Sequence, residues 1–262
     1  MNFLALQDKD QIESHFRKNT DLNLYQIGDL DDFFWKFTEW YAAEEDGEIK
    51  QIILIYKGTN LPVMIALCDK NENIMKELLT NLEPGLPEKF YSHLSKGLAE
   101  VLQDNYNLEK HGTYLKMSLQ KNDLVLFDED PAVRRLEVAD IEQIKNFYEE
   151  SYPDNWFDKR MLESRKYFGY FINEKLAGIA GIHVYSGKYK VAVLGNITTD
   201  PVHRGRSICT ILTSVLCVDL FETVHNIGLN VHIDNAAAIR SYEKLGFKIT
   251  GEYEEYMFKK KF

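Results

Sequence analysis

The chain is poor in cysteine, in long apolar runs and, through its first half, in positive charge. Its three cysteines, Cys68, Cys209 and Cys217, fit neither a disulfide framework nor a metal-ligand spacing. Reduced thiols and no metal site are therefore expected. No apolar run reaches the roughly 18 residues needed to cross a bilayer, and residues 1–10 are too polar for a signal peptide. Both absences point to a cytoplasmic protein that does not engage membranes. The pattern Gly-x-Gly-x-x-Gly never follows an apparent strand, which sets aside a dinucleotide-binding oxidoreductase.

The formal net charge of −10 is unevenly spread. Residues 1–130 carry 13 Lys+Arg against 24 Asp+Glu, or −11, whereas residues 131–262 carry 18 against 17, or +1. An acidic half joined to a nearly neutral one points to two domains. It argues against long-range attraction to nucleic acid. The acidic flank either steers a cationic amine or simply keeps the protein soluble. What remains is ordinary globular material, 45% hydrophobic and 27% charged, enough for real cores.

In the first half, residues 8–19 read as a helix, and residues 36–43 and 49–56 as strands around an Asp46-Gly47 turn. A strand at 63–67, helical stretches at 71–81 and 90–105, and a strand at 114–119 complete it. The aromatic cluster Phe33, Phe34, Trp35, Phe37, Trp40 and Tyr41 reads as packing, with a pocket wall as the alternative. Residues 120–131 read as a linker in which Leu124–Phe127 can pair with a sheet edge. The expected division is a domain at 1–125 and another at 131–262.

The second half reads as a strand (133–136), a helix (140–151), a short helix (157–163) and a hairpin (167–172 and 176–185) turning at Asn173-Glu174. A strand at 191–199 follows, then a helix with Ile208, Ile211, Leu212, Val215 and Leu216 on one buried face. Asn226 and Gly228 are expected to end that helix. A strand at 229–233 leads to a helix capped by Asn235 and closed at Gly246, then to a last strand at 248–258.

Two segments carry chemistry. Strand 195–199 runs into Asp200-Pro201-Val202-His203-Arg204-Gly205-Arg206-Ser207 and then a helix. Proline ends the strand. The helix start leaves backbone N–H groups unpaired at the positive end of the dipole, a natural seat for a phosphate or diphosphate. In the second segment Tyr242 follows the cap Asn235 by seven residues, about two turns, so both can face one cleft. A phenol can protonate a departing thiolate. The plainer roles are packing for Tyr242 and capping for Asn235. Together the segments suggest acyl transfer from coenzyme A.

The order β-α-α-β-β-β-α-β-α-β in residues 133–262 resembles the GNAT-type N-acetyltransferase superfamily over its full domain length. The family's Gln/Arg-x-x-Gly-x-Gly/Ala motif falls on Arg204, Gly205, Arg206, Ser207, Ile208 and Cys209, with Ser207 and Cys209 at the two small-residue positions. Its Asn-x-x-Ala-x-x-x-Tyr-x-x-x-Gly-Phe segment falls on Asn235, Ala238, Tyr242, Gly246 and Phe247. The resemblance implies an α/β fold with a mixed, mostly antiparallel sheet flanked by helices, and acetyl-CoA as cofactor. It implies transfer to a primary amine of a small molecule or peptide, with Tyr242 as general acid.

The same resemblance places strand residues Ile197, Thr198 and Thr199 against the cofactor, the N–H groups of Ile197 and Thr199 pairing with thioester carbonyl and pantetheine amide. One such N–H aimed at an oxyanion is worth about 3 kcal/mol. Arg204 to Thr210 would surround the diphosphate, with Asn235 and Ala238 beside the cofactor. Any residue but proline supplies an N–H, so Ser207 keeps the cradle's donors while Cys209 adds bulk. Weaker cofactor binding or a shifted loop is expected. The first half resembles a degenerate copy of this fold found in some bacterial members, without an equivalent of residues 204–209.

No general base stands out. His183, His232, Glu137 and Glu222 are candidates beside ordered water. Cys209 and Cys217 have no His/Asp partner at a suggestive spacing, which favours direct transfer in a ternary complex over a covalent relay. The alternative is a module that senses coenzyme A or scaffolds a partner without turnover. Residues 152–165, including Pro153-Asp154-Asn155-Trp156, and residues 185–190 are expected to meet the acceptor. A monomer and a homodimer both fit.

Overall fold

Runs of β-branched and aromatic residues, parted by left-handed turns, set the strands of this chain. The computed structural model describes residues 1–128, 130–153 and 155–261. Glu129 of the expected linker, Asp154 of the expected acceptor loop and Phe262 of the expected second domain lie outside the described residues.

The elements are, in order, β1 (Asn2–Ala5), α1 (Lys9–Phe16), α2 (Leu24–Gly28), α3 (Asp32–Trp35), β2 (Thr38–Glu45), β3 (Glu48–Tyr56), β4 (Val63–Ala66), α4 (Glu72–Leu82), β5 (Lys89–Leu94) and β6 (Tyr106–Gln120). Then come β7 (Val133–Arg135), α5 (Ile141–Ser151), β8 (Phe168–Ile172), β9 (Lys175–Ser186) and β10 (Val191–Thr199). α6 (Ile208–Leu220), β11 (Asn226–His232), α7 (Ala236–Lys244) and β12 (Lys248–Lys260) complete the chain. By contacts it divides into two units, residues 1–116 with 250–261, and residues 117–249.

In the first unit β1, β2, β3 and β4 pair antiparallel in succession, β4 pairs parallel with β5, and β12 adds antiparallel to β5. In the second, β7, β8, β9 and β10 pair antiparallel in succession, and β10 pairs parallel with β11. Each parallel pair is bridged by a helix, α4 or α6, as a parallel connection requires. The sheet is thus mixed and mostly antiparallel, as expected from the sequence.

Several local expectations need correction. Residues 90–105 form β5 and a short 3-10 turn (Ala99–Leu102), not a helix. Phe90, Leu94, Leu98 and Val101 imitate helical spacing, but Gly97 breaks the run at φ +83. β5 lies between β4 and β12, which buries Phe90, Tyr91, Ser92 and Leu94 together, as in a strand covered on both faces. Gly228 lies inside β11 and ends no helix. Residues 124–127 join no sheet edge. There the Val125 N–H donates to Leu245 O at 3.1 Å, and the Phe127 N–H to Ser214 Oγ at 3.2 Å. These bonds tie the expected linker into the second unit. Conversely, residues 250–261, expected in the second domain, pair from Glu254↔Leu94 to Lys259↔Lys89 in the first. The contact units therefore do not follow the boundaries 1–125 and 131–262.

The aromatic cluster packs. Trp40 is buried with Trp35 stacked on it at 6.0 Å, and Phe34 is buried against Tyr56. Among the described residues no helix is long and apolar enough to cross a membrane, and no group of three His, Cys, Asp or Glu side chains forms a metal site.

Gly246 closes α7 at φ +98, and a Cβ there would overlap Asp123 O, in the segment tied to the second unit. Gly246→Ala is expected to destabilise the protein by at least about 2 kcal/mol, through both left-handed strain and overlap. The shift of the urea midpoint at unchanged m-value measures it.

Candidate active site

A parallel strand pair that stops pairing early leaves backbone groups without ladder partners. β10 and β11 pair only from Val191↔Asn226 to Leu194↔Leu229, although β10 continues to Thr199 and β11 to His232. Past Leu194 the β10 edge toward β11 is open over Gly195–Thr199, and this stretch contains Ile197, Thr198 and Thr199. On its other edge β10 carries a bulge. Gly195 pairs with Gly181 and Thr198 with Ile179, so Asn196 and Ile197 together face Ala180 alone. Asn196 is left-handed at φ +55.

The chain then turns sharply. Asp200 N–H donates to Ala177 O at 2.9 Å, and the Asp200 carboxylate accepts from Val202 N–H at 3.0 Å. Arg204 Nε reaches back to Thr199 O at 3.3 Å and closes the loop. Gly205 and Ser207 are both left-handed, at φ +80 and +60. Arg204, Gly205, Arg206 and Ser207 are exposed. Ser207 occupies the cap of α6 without a side-chain capping bond. The first-turn N–H groups of Ile208, Cys209 and Thr210 stand at an uncapped helix start that follows two exposed arginines in the chain, a donor set suited to a phosphate.

Cys209 is half-buried on the first turn of α6, near Thr213 one turn on. Burial pushes this thiol up to about 11, and burial also raises Cys217 strongly. Neither is a thiolate near neutral pH.

On α7, Asn235 Oδ1 accepts from Ala238 N–H at 3.1 Å, so the capping role is filled while Asn235 stays exposed. Tyr242 is buried and sits edge-on to Phe247 at 5.8 Å. Burial first, then the proximity of Cys209, Tyr152 and Cys217, holds its phenol well above the usual range. The second unit thus brings Tyr242 near the α6 start through Cys209, and Tyr152 of the expected acceptor loop into the same neighbourhood.

The base candidates separate. His183 stands over Gly195 of the open strand, where a Cβ would overlap its ring. His232 Nδ1 accepts from Asp234 N–H at 3.2 Å. Glu137 belongs to a capping box with Asp140 ahead of α5, and Glu222 lies beyond the far end of α6. The sequence reading missed Asn196, Tyr148 and Tyr167, which hydrogen-bond around the bulge. A lone Asn before Ile197 and two tyrosines distant in sequence carry no pattern that announces this.

Comparison with known proteins bears on the family and the fold. Residues 132–247 match the model described as the acetyltransferase (GNAT) family. A GNAT-family protein of known structure from Novosphingobium aromaticivorans is 18% identical, with a TM-score of 0.63 over 92% of this chain and 98% of its own. A Drosophila protein is 10% identical, with a TM-score of 0.75 over 98% and 97%. A tandem GNAT protein from the clavulanic acid biosynthesis pathway is 12% identical, with a TM-score of 0.60 over 98% and 97%. At these identities the structures show similarity of fold. No curated protein sequence matches.

Ser207 holds a conformation that glycine takes freely and that costs other residues about 1 kcal/mol. Ser207→Gly is expected to raise the thermal midpoint by a few degrees, read by calorimetric scanning. An unchanged or lowered midpoint would show that the serine is unstrained.

Proposed function

Residues 132–247 are an acetyltransferase domain of the GNAT family, and from that premise we propose that the chain moves acetyl from acetyl-CoA directly to a primary amine. The observation that carries this reading is the open edge of β10 leading into an exposed, uncapped α6 start. Gly195–Thr199 offers main-chain groups to the thioester and pantetheine arm, with the N–H groups of Ile197 and Thr199 as donors. Arg204, Gly205, Arg206, Ser207, Ile208, Cys209 and Thr210 surround the diphosphate, and Asn235 and Ala238 flank the cofactor.

In the transfer the amine nitrogen bonds to the acetyl carbon and gives up a proton to water, the carbon–sulfur bond breaks, and the sulfur takes a proton from Tyr242, which water then restores. A phenol held above its ordinary range keeps that proton throughout physiological pH. The high position of the Cys209 and Cys217 thiols supports direct transfer over an acyl-cysteine. The acceptor is a small-molecule or peptide amine, approaching past Tyr152. The left-handed Ser207 and the bulkier Cys209 favour one second reading, a coenzyme A sensor without turnover. Calorimetric binding of acetyl-CoA with no thiol release across a panel of amines would establish that reading instead.

We assign the first unit to a degenerate copy of the same fold. It repeats the same strand pairings, and Asn71 precedes α4 in the left-handed conformation that Ser207 takes before α6. Yet β4 and β5 stay paired to their ends at Ala66↔Leu94, so no edge opens there. Only residues 67–71 separate β4 from α4. The unit therefore offers no second cofactor cleft.

Tyr242→Phe should lower kcat by about 100-fold and leave KM for acetyl-CoA within about twofold, followed by release of the coenzyme A thiol. The acid form of a raised phenol persists as pH climbs, so wild-type kcat should show no loss from this group up to about pH 10. An unchanged kcat in Tyr242→Phe would refute the assignment, whereas a descending limb near pH 8 that vanishes in the variant would refute only the raised position of the phenol.

A further inference from the structure

Two neighbouring irregularities shape the strand that carries the proposed cleft. β10 has one extra residue between Gly195↔Gly181 and Thr198↔Ile179. β9 has one extra, His183, between Val193↔Val184 and Leu194↔Ile182. Each bulge disturbs the ladder and leaves main-chain groups to be satisfied from elsewhere.

Buried tyrosines meet both. Tyr148 Oη of α5 donates to Asn196 O at 2.7 Å, and Tyr167 Oη donates to Ile182 O at 2.7 Å. Asn196 Nδ2 donates to Tyr167 Oη at 3.1 Å and joins the two. Tyr148, Tyr167 and Asn196 are 2%, 0% and 4% exposed, so water cannot substitute freely for any of these bonds. The facing glycines make the room. A Cβ at Gly181 would overlap the Tyr167 ring, and one at Gly195 the His183 ring.

We propose that Tyr148, Asn196 and Tyr167 are positioning residues that set the peptide plane between Asn196 and Ile197. The inference rests on the proposed use of the Ile197 N–H in acetyl transfer. The physical step is short. The Asn196 carbonyl and the Ile197 N–H belong to one planar trans peptide and point in opposite directions. Holding the oxygen on Tyr148 therefore fixes where the N–H points. Rotating that plane would break the Tyr148 bond and strand a buried carbonyl.

Asn196 serves the same end through its backbone. Apart from glycine, asparagine is among the residues that best tolerate a left-handed conformation. Its Nδ2 is bonded, whereas its buried Oδ1 has no protein partner among the described residues. A half-satisfied amide in a packed interior is poor for stability alone, and its presence here is accounted for by the bulge it holds. Burial pushes both phenols up, so they remain donors across the working pH range.

The test is calorimetric titration with acetyl-CoA and steady-state kinetics on the full chain. Tyr148→Phe keeps the ring and removes only the bond to Asn196 O. It should weaken acetyl-CoA binding about tenfold and lower kcat/KM for acetyl-CoA at least as much, with KM for the amine and the pH profile unmoved. Asn196→Ala should do the same, and Asn196→Gly, which restores left-handed freedom, should recover binding to within about threefold. If the variants lose thermal stability while binding and kcat/KM for acetyl-CoA stay at wild-type values, the residues are only structural and the inference is overturned. Should Tyr148→Phe fail to fold, the Asn196 pair decides alone, and equal binding by Ala and Gly overturns the inference. Absence of acetyl-CoA binding by the wild type is a separate outcome that removes the transfer reading and this inference with it.

Discussion

A sheet can form a binding edge only where two neighbouring strands stop satisfying each other, and here that point is the separation of β10 from β11 after Leu194↔Leu229. Backbone groups in a folded interior are obliged to find partners. The main-chain groups of Gly195–Thr199 that neither β9 nor side chains such as Tyr148 and Arg204 satisfy are therefore left to water or to a bound molecule. The loop from Asp200 to Ser207 and the start of α6 extend this strip of main chain, so the proposed cofactor site is made mostly of backbone. Side-chain identity matters less in such a site than conformation. Ser207 and Cys209 keep their main-chain N–H groups whatever their side chains.

Much of this was legible in the sequence because it depended on local rules. Asp200-Pro201 stops a strand wherever it occurs, Asn235 caps, and Gly246 closes a helix with a left-handed turn. The mixed, mostly antiparallel sheet followed from the order of elements. What failed depended on tertiary context. Residues 90–105 have apolar spacing that suits a helix, but β4 and β12 bury both faces of β5. Acidity at 120–131 suggested a linker, yet the amides of Val125 and Phe127 are taken by Leu245 and Ser214. The ring of partners around Asn196 was invisible because hydrogen bonds between residues 148, 167, 182 and 196 leave no periodic trace.

The two units use one pairing scheme for different ends. Both join a succession of antiparallel strands to one parallel pair and bridge that pair with a helix. The difference lies in length. β4 stops where β5 stops, whereas β10 outruns its partnership and is followed by a longer loop. A few residues of extra strand and loop are enough to separate a sheet paired to its strand ends from one with an open strand edge. The charge asymmetry follows the same division, since acidic residues crowd the half without the phosphate-suited loop.

The course of β12 has a bearing on how the polypeptide matures. Its residues Glu254–Lys259 pair with β5, more than 150 positions earlier in the chain. During synthesis the first unit thus emerges without one of its own strands, and the β5 edge waits until more than 150 further residues have been translated. An unpaired edge of this kind is prone to mispairing with other chains. Late closure over so large a sequence separation also slows folding. Nascent chains stalled before residue 250 would accordingly be the form most dependent on chaperones.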